Sequence, residues 1–171
     1  MKRWAIIAST LLLGACAAYN GSGLKPGEDR LENVLQVMGQ PAMRWQNPDG
    51  SAQLAYPHGP MGYSTYMVHI EPDGKLLQIN NVLDQKSFAR IQTGMTGAEV
   101  LRILGPSLQE GTAYYPARDE LVWEWRYCDL WNEAARFNVL FDHSKETVRS
   151  TMSITEAQKG LCGEDSCLCS Q

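Results

Sequence analysis

Basic residues are in the minority: 15 Lys and Arg stand against 19 Asp and Glu, a formal charge of −4. An acidic chain without a Lys/Arg cluster is a poor partner for nucleic acid or an anionic surface, so no nucleic-acid partner is expected. Histidine is scarce, with only His58, His69 and His143. None belongs to an H-E-x-x-H pattern, and there is neither a G-x-S-x-G elbow nor a phosphate-binding loop. Asp142-His143-Ser144 contains triad residue types, but triads are assembled in space and three consecutive residues read as a turn. No catalytic residue, no metal site and no enzyme activity is expected. Long apolar runs are also missing. Only Trp4 to Leu13 is nearly uninterrupted, about ten residues against the ~20 that a bilayer-spanning helix needs.

That run does have a meaning. Lys2 and Arg3 precede it and Leu13-Gly14-Ala15-Cys16 closes it with small residues, so residues 1–15 read as a secretory signal peptide. Its removal makes the remaining chain two charges more acidic. The ending LGAC resembles the lipobox of bacterial lipoproteins, which implies lipid attachment at Cys16 and no other cofactor. A plain secretory signal with an incidental cysteine is the alternative. In that family an aspartate after the cysteine favours the inner membrane. Ala17 stands there, so the outer membrane, facing the periplasm, is the expected location. Residues 16–27, with Asn20-Gly21-Ser22-Gly23, form a flexible tether behind the lipid.

Four cysteines remain: Cys128, Cys162, Cys167 and Cys169. An oxidising compartment would join them into up to two disulfides. Three pairings are allowed and the sequence does not choose; a bond from Cys128 to the tail would pin a loose terminus. The C-x4-C-x-C spacing lacks the C-x2-C pairs of zinc sites and a nearby histidine, so disulfides are the better reading.

The body of the chain repeats itself. VLQVMGQP begins at residue 34 and VLRILGPS at residue 100, each an amphipathic helix end closed by glycine and stopped by proline. Thr96 and Glu99 have capping-box spacing for the second helix. Strand-like segments follow both. Ala52 to Tyr56 comes first, then Tyr66–Ile70 and Lys75–Val82 around the turn Pro72-Asp73-Gly74. The second half offers Leu121–Cys128, Phe137–Phe141 and Thr147–Ile154. The expected fold is therefore α+β: two tandem repeats, each a short helix region and a three-stranded antiparallel meander, with the helices packed on one sheet face. The expected units are residues 28–83 and 84–157, followed by a Cys-rich tail at 158–171.

Gly94-Met95-Thr96-Gly97-Ala98-Glu99-Val100 with Leu104-Gly105-Pro106, then Trp125-x-Tyr127 and Phe137-Asn138-Val139-Leu140-Phe141-Asp142, resembles the SmpA/OmlA (BamE-like) family. The likeness covers residues 92–154 well and 28–83 loosely. These are small outer-membrane lipoproteins, and the related β-lactamase inhibitor protein fold carries two such units in tandem. The resemblance implies a non-catalytic scaffolding factor that binds envelope proteins, including the β-barrel assembly machinery. The alternative it implies is an inhibitor of a periplasmic or secreted enzyme. This chain departs from the single-unit members in its second unit, its missing Gly-x-Thr start in the first, and its cysteine tail.

Aromatic residues supply the partner-binding candidates. Leu121, Trp123, Trp125 and Tyr127 share one face of a strand, opposite Val122, Glu124, Arg126 and Cys128. That aromatic set is large enough to be core, yet Trp and Tyr also carry much of the energy at interfaces. Trp131 adds to it, as do Tyr114 and Tyr115. The loop from Tyr56 through His58 to Tyr63 is rich in Pro, Gly and aromatics, and suits either a grip on a partner or a rigid turn.

Overall fold

A computed structural model of the chain describes residues 20–59, 62–163 and 167–169. Cys16, the signal peptide and the beginning of the tether lie outside these residues. The chain runs α1 (Leu31–Met38), β1 (Met43–Gln46), β2 (Ala52–Pro57), β3 (Thr65–Ile70), β4 (Leu76–Asn81), α2 (Gln85–Phe88), α3 (Gly97–Leu104), β5 (Leu108–Tyr115), β6 (Glu120–Cys128), β7 (Ala134–Asp142) and β8 (Thr147–Thr155). A 3-10 turn at Pro116–Arg118 separates β5 from β6.

The α+β expectation is corrected here. The described residues are mostly β: among them are two four-stranded antiparallel sheets, β1-β2-β3-β4 and β5-β6-β7-β8, and three helices of eight, four and eight residues. Each sheet has one strand more than expected. The first strand was missed in both for a physical reason. β1 is four residues long and half exposed. β5 contains Gly111, and its pairing to β6 slips between Leu108 and Ala113, which destroys the period-2 signal.

Glycine ends both eight-residue helices. Gly39 (φ 79°) and Gly105 (φ 74°) take a left-handed φ that other residues adopt at a cost, and their N–H groups donate to Leu35 O and Leu101 O. A strand aromatic then satisfies each glycine's carbonyl. The Tyr56 hydroxyl donates to Gly39 O at 3.1 Å and Trp125 Nε1 to Gly105 O at 3.2 Å. The segment before each of these helices also covers the start of the last strand in its sheet. Leu76 N–H donates to Asp29 O, and Val148 N–H to Met95 O, both at 2.8 Å.

The core falls into three clusters. Val34 and Met38 of α1 pack on Leu54, Tyr56, Val68 and Ile70 of the first sheet. The opposite face of that sheet, with Ala55 and Met67, meets the end of α3 at Gly105. Val100, Ile103 and Leu104 of α3 then pack on Trp125, Phe137, Val139 and Phe141 of the second sheet, joined by Phe88 and Ile91. Gln53 Nε2 donates to Arg102 O, and Arg102 Nη1 to Asn47 Oδ1, across the same junction.

Candidate functional site

The structure divides the aromatic candidates into two groups. Tyr56, Trp125 and Tyr127 are core residues, 2%, 2% and 3% exposed, and offer no area to a partner. Burial pushes the Tyr56 hydroxyl up to about 12, opposed by the nearby Arg44 charge. Trp123 is half-buried at the end of the same aromatic row, its ring 4.6 Å from Phe141. His58 is exposed. Tyr63 is half-buried and lies under Arg126, whose guanidinium carbon is 4.1 Å from the ring centroid. Trp131 alone among the candidates projects fully, at 82% exposed, beside Leu130 at 87%.

These two side chains sit on the turn between β6 and β7. The Asp129 carboxylate holds the turn: Oδ1 accepts from Trp131 N–H at 2.8 Å and Glu133 N–H at 2.9 Å. Asp129 N–H donates to Glu133 O, and Asn132 N–H to Asp129 O. Asn132 takes a left-handed φ of 63°, which Asn tolerates better than most residues. The tail braces one side of the turn. Disulfides join Cys128 to Cys169 and Cys162 to Cys167. Cys169 N–H donates to Asn132 O and Ala134 N–H to Cys167 O, and Leu168 bridges Glu133. Leu168 stays 40% exposed. A tail with little apolar area would fray on its own; closing it into covalent rings removes much of the entropy it would otherwise regain. Leu130 and Trp131 thus form a projecting apolar knob on a turn braced by the Cys128–Cys169 disulfide and the tail. Covering a side chain of this size recovers about 1.5–3 kcal/mol, so the knob is a latent anchor.

Beneath the tail, on the face of the second sheet opposite the core, lies a chain of buried charges. Arg126 makes a forked contact to Glu156, at 2.6 and 2.8 Å. Arg136 Nε donates to Glu156 at 2.6 Å and its Nη1 to Glu124 at 2.8 Å, while Lys159 Nζ donates to the other oxygen of Glu124. Burial alone would raise the Glu156 carboxyl, but the Arg126 hydrogen bond and the charges of Arg136 and Arg126 leave it below the usual range. No buried side-chain polar atom is unsatisfied among the described residues. Three cations thus share two carboxylates, and each charge has an ion-pair partner, so this chain fastens Glu156 and Lys159 to the sheet. Among the described residues no group of three or more His, Cys, Asp or Glu could hold a metal ion, and no helix is long and apolar enough to cross a membrane.

Sequence reasoning singled out Trp131 but not Leu130 or Leu168, because a leucine carries no mark of exposure. The signal that was present is the turn-forming Asp129 and Asn132 around a Leu-Trp pair. The ion-pair chain was also missed: Glu124, Arg126 and Arg136 alternate with apolar residues, and alternation alone assigns them to solvent.

No family model matches this chain, and no curated protein matches it. Among solved structures, an extracellular protein containing an SCP domain from Bacillus anthracis str. Ames is similar at 11% identity and a TM-score of 0.28. The match covers 94% of this chain and 51% of that chain, so this chain spans about half the length of the protein it matches.

Proposed function

We propose that this chain is a lipid-tethered, non-catalytic protein-binding factor on the periplasmic side of the outer membrane, and that it engages an envelope protein through the Leu130–Trp131 knob. One observation carries the reading: two large apolar side chains are held more than four-fifths exposed on a turn fixed by hydrogen bonds and a disulfide. A rigid anchor loses little conformational entropy on binding, which is where affinity is usually lost. The LGAC motif and the SmpA/OmlA-like residues support the envelope setting and a scaffolding role, with the β-barrel assembly machinery among the partners. The same projecting shape also suits entry into an enzyme's cleft, which keeps inhibition as the second reading.

The test is photocrosslinking in cells from position 130, with position 150 on the exposed side of β8 as control. A discrete adduct from 130, reduced about tenfold or more by Trp131→Ala, is the expected result. Equal labelling from both positions, or no loss on Trp131→Ala, overturns the proposal. Adducts confined to hydrolytic enzymes whose activity falls on binding would select inhibition.

A further inference from the structure

At the end of the second sheet away from the knob, a cavity of about 420 Å³ opens between the start of α3 and the β7–β8 turn. That is within the size range of small-molecule sites. Leu121, Trp123 and Phe141 contribute its apolar wall, and His143, Lys145 and Glu146 line it from the turn. Trp123 is pressed against α3: a Cβ at Gly97 would lie 2.7 Å from the indole Cη2. Glycine here therefore fixes how the indole sits beside the cavity.

The turn is held in place. His143 N–H donates to Asp119 O and Ser144 N–H to Asp119 Oδ2, at 2.9 and 3.1 Å. Lys145 N–H donates to Asp142 Oδ1, Glu146 N–H to His143 O, and the Lys145 ammonium pairs with Asp142 at 3.0 Å. Asp119 (φ 48°) and Glu146 (φ 55°) are both left-handed non-glycine residues, conformations that persist where the surroundings over-determine them. The cavity thus has a rigid, pre-formed rim.

We infer that this cavity binds a neutral sugar ring, the Trp123 wall taking its flat C–H face and the turn its hydroxyls. The rim chemistry selects that class. Lys145 donates hydrogen bonds, Glu146 accepts them, and the two carry opposite charges. An anion would meet Glu146 and a cation would meet Lys145. A purely apolar ligand would leave the hydrogen-bonding groups of the rim unused. Hydroxyl groups both donate and accept, so a pyranose satisfies the two together while its apolar face covers the indole. This site lies apart from the knob and does not depend on it.

The experiment is a titration of the full chain with hexose and N-acetylhexosamine oligosaccharides, read from the Trp123 indole N–H in heteronuclear NMR spectra. That signal is assigned with Trp123→Phe. A saturable shift with at least one of the sugars is expected, weakened roughly tenfold or more by Glu146→Gln or Lys145→Ala and unchanged by Trp131→Ala. Glu146 and Lys145 are surface turn residues, so these variants keep the core. Absence of any shift with sugars overturns the inference. So does binding of indole in preference to sugars, or unchanged affinity in both turn variants.

Discussion

Trp125 and Trp131 belong to one hairpin and have opposite fates, 2% and 82% exposed. Truncating Trp125 opens a cavity in the second-sheet core and removes the donor to Gly105 O, so Trp125→Ala should cost about 3–5 kcal/mol. Trp131→Ala should change stability by less than about 0.5 kcal/mol while removing the anchor. Urea unfolding of the two variants checks both values. The glycines make a second contrast. At Gly39 a Cβ meets nothing within 4 Å, so Gly39→Ala should cost only the backbone strain of a positive φ with an extended ψ (φ 79°, ψ −159°), about 1–3 kcal/mol. At Gly105 it would lie 2.7 Å from Thr65 Cγ2 and 3.4 Å from Ala55 Cβ, so Gly105→Ala should destabilise by clearly more, and thermal melting ranks the pair. The repeated octets announced these glycines; that the second one also seats the junction between the two sheets was not written in them.

Among the elements, the tail is the one whose place depends on charge. Glu156 sits below the ordinary Glu value of 4.5, so the native state holds its proton less tightly than the unfolded chain does. Its contribution to stability is present above that value and is lost as pH falls through the folded-state value. His69 acts in the same direction at higher pH. Burial, aided by Arg90, lowers it from 6.5, so protonation favours the unfolded chain as pH drops through that value. Urea midpoints should therefore decline in two stages from neutral to acid, and His69→Gln should remove the upper stage. Glu156→Gln leaves Arg126 and Arg136 without their shared carboxylate and should cost about 3 kcal/mol at neutral pH, reducing the lower stage. The hairpin strands around Pro72-Asp73-Gly74 were legible because turn chemistry and alternation agree there. β1 and β5 were not, one being too short and the other slipped at a bulge.

At the scale of the whole molecule, α3 is the piece that makes one body of two sheets. Its apolar side chains pack on the second sheet, and its C-terminal end meets Thr65, Ala55 and Met67 of the first. Arg126 of β6 resting on Tyr63 adds a second bridge. On the proposed function the folded body hangs from lipid at Cys16. Each buried methylene of an acyl chain contributes about 0.8 kcal/mol, so two or more chains hold a protein on a membrane almost permanently. Cys16→Ser should move the chain to the soluble fraction of an osmotic lysate, and persistence of the variant with membranes would sink the lipid reading.

The sequence by itself determined where helices stop, where hairpins turn and which residues alternate, because glycine, proline and period-2 patterning act over a few residues. Only the tertiary structure decided which face of β6 is core, that Cys128 pairs with Cys169, and that each sheet carries a fourth strand. Alternation separates two faces without labelling them, and four cysteines allow three pairings. Both choices depend on partners distant in sequence. The same holds for Trp131: its residue type made it a candidate, and the braced turn that keeps it in solvent exists only once the tail has folded back.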